Sequence, residues 1–170
     1  MIQKIIDALP LCTTNSCFSA SSSIDEGVYD DETSWVKFNN EPRNFTVNNT
    51  TQKIFHLLAI DKCCLDHTFV GKRCDFAIID GLKHFYMVEI KDTARNNYHS
   101  QLLRPLEQLE NTIMYFRSLN LLDDFEERTA IFCWKANPPV PLVNCSYNAA
   151  KLRFFKNYNF SLKEGNSISI

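Results

Sequence analysis

The stretch RCDFAIID (Arg73–Asp80) runs through GLKH (Gly81–His84) into FYMVEIKD (Phe85–Asp92). Two apolar runs around a Gly-containing link read as a β-hairpin. Asp75 sits early in the first run, and the triplet Glu89-Ile90-Lys91 closes the second. Charge inside a buried strand is costly unless it has a partner. Three charges gathered at the open end of one hairpin therefore mark a candidate site.

Strand alternation adds a constraint. Glu89 and Lys91 are two residues apart and share a face, while Ile90 points the other way, into the core. Asp75 joins them only if it lies opposite Glu89. That register pairs Asp80 with His84 and leaves Gly81-Leu82-Lys83 as a three-residue turn, in which Gly81 can supply a positive φ. A two-residue turn would pair Asp75 with Val88 and move the acid to the wrong face.

Outward from the hairpin, Asn49 or Thr50 can cap a helix running to residue 60, with Ile54, Leu57 and Leu58 inward. Downstream, DTARNNYHS reads as polar loop. A helix begins near Arg104-Pro105, where proline suits the first turn. Its apolar positions Leu106, Leu109, Ile113 and Phe116 recur at helical spacing. RTAIFCW (Arg128–Trp134) reads as a third buried strand. Pro138, Pro139 and Pro141 punctuate a loop, Asn148 caps a last helix through Phe155, and residues 158–170 add an edge strand.

In the first third, Ile2, Ile5, Ile6 and Leu9 line one face of a short helix that Pro10 ends. Residues 12–23 read as Ser/Thr-rich loop, the acidic run Asp25–Glu32 follows, and Trp35–Phe38 reads as a short strand. The resulting expectation is the α/β class: one mixed β-sheet flanked by helices in a single domain, 1–170. Residues 1–47 are an N-terminal elaboration of unread role, and 48–160 hold the core.

At 170 residues and 45% hydrophobic, with thirteen Phe, the chain can bury a sizeable core. A net charge of −2 gives no global basic excess, so any polyanion would have to be met by a local groove. Four Gly leave no phosphate-cradling loop fingerprint. Seven Cys are an odd number and read as reduced, mostly buried thiols. Cys63, Cys64, His67 and Cys74 lack the usual Cys-x-x-Cys spacing of a zinc site. The opening MIQKIIDALPLC is broken by Asp7 and Pro10, is too short for a membrane span and lacks a signal-peptide core. The expectation is a soluble, cytoplasmic protein with no membrane partner.

Two carboxylates and an ammonium are the groups needed to hold a hard divalent cation and an attacking water. That is phosphodiester-cleaving chemistry. On Asp75, Glu89 and Lys91, within a helix–strand–strand–helix–strand order over roughly residues 49–135, the chain resembles the PD-(D/E)xK nuclease superfamily. The resemblance implies a restriction-endonuclease-like core and a metal-dependent nuclease. It implies Asp75 and Glu89 as ligands of Mg²⁺ or Mn²⁺, the Ile90 backbone carbonyl as a third ligand, and Lys91 as the residue that orients the water. Cys74 stands where the family pattern has Pro. The first helix offers Gln52 and His56 but no Glu, Glu41 lying just upstream. Neither Gln101 nor Gln108 is followed by Tyr at the Gln-x-x-x-Tyr spacing of some branches.

Gln108 and Gln52 are accessory candidates. Arg95, Arg104 and Lys72, with Arg73 beside them, are candidates for substrate phosphate. His99 and Tyr98 lie in the loop after the lysine. Lys151, Arg153 and Lys156 read equally as a solvated helix face. DNA is favoured over RNA by the family analogy alone, and a homodimer would be needed to cut both strands. The alternative from another class is an inactive module of the same fold that binds nucleic acid or a protein partner.

Overall fold

A computed structural model describes residues 2–30, 34–81, 83–91, 102–135 and 145–170. Two short helices, α1 (Ile2–Ala8) and α2 (Pro10–Thr14), open the chain. They are followed by β1 (Phe18–Ser21), β2 (Asp25–Tyr29), β3 (Lys37–Phe38), β4 (Phe45–Asn48), β5 (Phe55–Ala59), β6 (Phe76–Asp80) and β7 (His84–Lys91). Then come α3 (Leu103–Ser118), β8 (Glu127–Trp134), α4 (Cys145–Tyr158), β9 (Ser161–Glu164) and β10 (Ser167–Ser169). The α/β expectation holds in this general form, with two sheets rather than one.

The main sheet has the order β1-β5-β6-β7-β8-β9. Its β1-to-β7 half is antiparallel, and β7, β8 and β9 run parallel. The second sheet has the order β10-β4-β2-β3. Partners across a ladder share a face, so the two sides of the main sheet can be followed by register. Phe76 meets Phe45 of β4, and Phe55 meets Phe38 of β3, which places the second sheet on one side. Phe85, on the opposite face, meets Phe116 of α3, and Phe132 meets Tyr147 of α4. Helices therefore cover one side of the main sheet and strands cover the other.

β6 and β7 are buried on both faces, as their continuous apolar runs demand. Asp80 pairs with His84, so the turn has three residues, and Gly81 takes φ +57°. α3 buries Leu106, Leu109, Ile113 and Phe116, the positions read from its periodicity.

The helix expected over 50–60 is instead β5, held between β1 and β6. Leu57 and Leu58 are buried as expected, but Ile54 is 66% exposed. Asn49 caps no helix. Its side chain closes the turn before β5, donating to the Lys53 carbonyl and accepting the Lys53 N–H. Pro10 opens α2 as well as following α1, and the segment read as loop over 12–23 contains the end of α2 and all of β1. The closing edge divides, β9 joining the main sheet and β10 the second. Residues before 48 supply β1 and three strands of the second sheet and share one buried core with the rest. Among the described residues no helix is long and apolar enough to cross a membrane.

Candidate metal centre

The ladder ends at Phe76 opposite Val88, which leaves Asp75 alongside Glu89. Three contacts fix Asp75 there. Its carbonyl accepts the N–H groups of Ile60 (2.9 Å) and Asp61 (3.1 Å), and its Oδ2 accepts the Ile90 N–H at 2.5 Å. Glu89 is fully buried on the helix-covered face. Its Oε1 touches Lys91 Nζ, and Oε2 has no hydrogen-bond donor among the described residues. Lys91 keeps partial contact with solvent. Asp75, Glu89 and Lys91 thus converge on one face, where β7 and β8 end. The Ile90 side chain is buried on the other face, and its peptide N–H is the group that ties Asp75 down.

The electrostatics are those of a site short of positive charge. Burial pushes the Asp75 carboxyl up to about 7, with Asp30 and Asp61 adding to the shift and the Ile90 N–H and Lys91 opposing it. Burial also holds Glu89 well above the carboxylate range, reinforced by the charges of Asp75 and Asp61 and opposed by Lys91. Acids of this kind either keep protons or take up a cation. A buried carboxylate oxygen without a donor, beside a second carboxylate, is an all-oxygen donor set suited to Mg²⁺ or Mn²⁺.

Sequence reading overlooked two acids and a lysine near the centre. Asp61 follows β5 and pairs with Arg73 at 2.5 Å. Asp30 follows β2 and pairs with Lys135 at 3.5 Å. Lys135 donates its backbone N–H to the Lys91 carbonyl. The missed signal was β5 itself: an antiparallel strand over 55–59 brings Asp61 to the start of β6.

Gln108 is a positioning residue. Its Nε2 donates to the Arg73 carbonyl at 2.8 Å, while Thr112 on the same helix accepts the Cys74 N–H at 2.9 Å. α3 thereby clamps the two residues before Asp75. Gln52 does not belong to the site. It is exposed in the turn before β5, whose nearby residue His56 pairs with Ile79, toward the opposite end of β6 from Asp75.

Lys72 is exposed and pairs with Glu107, and Arg104 is exposed in the first turn of α3. Glu41 is exposed in the β3–β4 loop. Arg95, Tyr98, His99 and Gln101 lie outside the described residues. His84 is at the turn end, between Asp80 (3.5 Å) and Glu127 (3.1 Å). Of the cysteines expected as thiols, Cys63 and Cys64 form disulfides with Cys17 and Cys12, partners far away in sequence. His67 is almost fully exposed, and Cys74 is a separate buried thiol.

Comparison with known proteins found no match: no family model, no curated protein and no solved structure.

Proposed function

We propose that the chain is a divalent-cation-dependent nuclease, with Asp75, Glu89 and Lys91 at its centre. The observation that carries this reading is the convergence of a buried, donor-poor Glu89, a tethered Asp75 and an amine on one strand end. Also in its favour is the strand order β5-β6-β7-β8 with α3 between β7 and β8. That order is in keeping with a restriction-endonuclease-like core, although β5 stands where a helix was expected.

Asp75 and Glu89 would hold Mg²⁺ or Mn²⁺, with the Ile90 carbonyl as a backbone ligand. The cation, when bound, lowers the pKa of water and offsets charge on the scissile phosphate. Lys91, kept close by Glu89, orients the attacking water and stabilises charge developing on the phosphate oxygens. Ile90 N–H fixes the Asp75 carboxylate through Oδ2. Gln108 and Thr112 hold the strand that presents Asp75. Arg104 and Lys72 supply exposed positive charge for the phosphate backbone, and binding falls as salt rises. DNA is the preferred substrate by family analogy, and a second copy would be needed to cut both strands of a duplex.

The test is cleavage of plasmid, linear duplex, single-stranded DNA and RNA with Mn²⁺, with Mg²⁺ and with EDTA, using wild type and Lys91→Ala. Metal-dependent cutting that Lys91→Ala abolishes is the expected result. Nucleic-acid binding that ignores chelator, with no cutting in any condition, would replace the nuclease with an inactive binding module.

A further inference from the structure

Four of the seven cysteines meet at one place. Cys12 lies on α2 and Cys17 just before β1, while Cys63 and Cys64 occupy the turn that leaves β5. All four are at most 3% exposed. The Sγ atoms of Cys12, Cys17 and Cys64 lie within 4.8 Å of one another. The fourth sulfur, of Cys63, is bonded to that of Cys17. Neighbours in a chain seldom serve one ion, yet here the turn over 61–65 sends both cysteines toward the same pair of partners.

Three sulfurs within 4.8 Å, with the fourth bonded to one of them, can be compared with a tetrahedral thiolate set. Zinc–sulfur bonds of about 2.3 Å place the four sulfurs about 3.8 Å apart. Three of the sulfurs already lie within 4.8 Å of one another, so opening the two S–S bonds and turning the Cys63 Sγ toward the other three would complete the set. The chain also retains Cys74 and Cys133 as buried free thiols. In a reducing surrounding disulfides do not persist. There, reduction would remove the two covalent links between the α2–β1 segment and the β5–β6 connection.

We propose that the reduced chain binds one Zn²⁺ through Cys12, Cys17, Cys63 and Cys64, and that the two disulfides are the oxidised form of the same site. Each disulfide is reduced to two thiols by two electrons and two protons: a thiol reductant supplies both and becomes a disulfide, whereas a phosphine supplies the electrons, water supplies the protons, and the phosphine leaves as its oxide. Zinc then displaces the thiol protons to water. Soft sulfur ligands select zinc over Mg²⁺, so this site is chemically separate from the carboxylate centre. It also cross-links the connection that carries Asp61, whose N–H holds the Asp75 carbonyl.

The test begins with the wild-type chain kept under phosphine reductant without oxygen. Metal content and native-state thiol alkylation are measured before and after a strong chelator. Stoichiometric zinc, with four cysteines alkylated only after chelation, is expected. Co²⁺ added to the stripped chain should give a thiolate-to-cobalt charge-transfer band. That band should persist in Glu89→Gln and vanish in the double variant Cys12→Ser, Cys64→Ser, so the outcome does not depend on the nuclease reading. Reduced wild type that takes up no zinc and whose cobalt spectrum lacks thiolate charge transfer overturns the proposal. The cluster would then be a disulfide staple only.

Discussion

The two ends of one hairpin carry charge in opposite ways. At the turn end, Asp80 is buried but sits beside His84 and 3.9 Å from Lys53, and His84 also reaches Glu127. At the open end, Asp75 and Glu89 share one amine, with Asp61 and Asp30 close enough to raise the Asp75 carboxyl further. Burial alone is common to both ends. Only the open end leaves a buried carboxylate oxygen without a donor among the described residues. The turn end is a charge cluster with a partner for its acid, and the open end is the proposed metal centre.

The largest expected effect is on cleavage. Asp75→Asn keeps an oxygen for the Ile90 N–H but removes the charge. It and Lys91→Met should each lower the cleavage rate on the order of 10²–10³-fold, read in a single-turnover assay.

Stability should move the other way. Glu89→Gln removes an acid that burial holds well above the carboxylate range, while Lys91 retains solvent. In urea unfolding with EDTA the variant should be more stable than wild type by about 1–3 kcal/mol. Mn²⁺ should stabilise wild type and leave the variant unchanged. A Glu89→Gln chain that is less stable than wild type without metal would move the open end into the structural class.

The pH dependence follows from Asp75. Its carboxyl rises from 3.8 to about 7 on folding, so the folded chain binds this proton more tightly than the unfolded chain. The stabilisation is complete below the unfolded value and is lost as pH rises toward about 7. Metal-free wild type should therefore lose more stability between those limits than Asp75→Asn does. Apparent Mn²⁺ affinity should rise over the same interval, because protons and metal compete for the same oxygens.

The smallest effect is at the turn. Gly81→Ala has open space for its Cβ and meets only the positive φ, so it should cost roughly 1–2 kcal/mol and leave cleavage unaltered.

The hairpin and α3 were legible because each rests on a local signal: two apolar runs around a Gly-containing link for β6 and β7, apolar spacing of three to four in α3. β5 was not. Ile54, Leu57 and Leu58 fit a helical face, but Phe55–Ala59 is a strand paired on both edges, and such a strand reads as an unbroken apolar run. Misreading β5 hid Asp61 and moved Gln52 to the wrong end. The disulfides were hidden for a different reason. Their partners are 46 and 52 residues apart, and spacing does not determine connectivity. Glu89 and Lys91 were placed on one face by strand alternation, and Asp75 joined them by the functional reading, which required the three-residue turn that the register has. The acids and the lysine around them required the fold.

The most direct test sets one end of the hairpin against the other in a single experiment. Glu89→Gln and Asp80→Asn each neutralise one buried acid of the same hairpin, and both are assayed for Mn²⁺-dependent cleavage beside wild type. The predicted result is loss of cleavage in Glu89→Gln and a wild-type rate in Asp80→Asn. Full cleavage by Glu89→Gln would contradict the assignment of the open end as the metal centre.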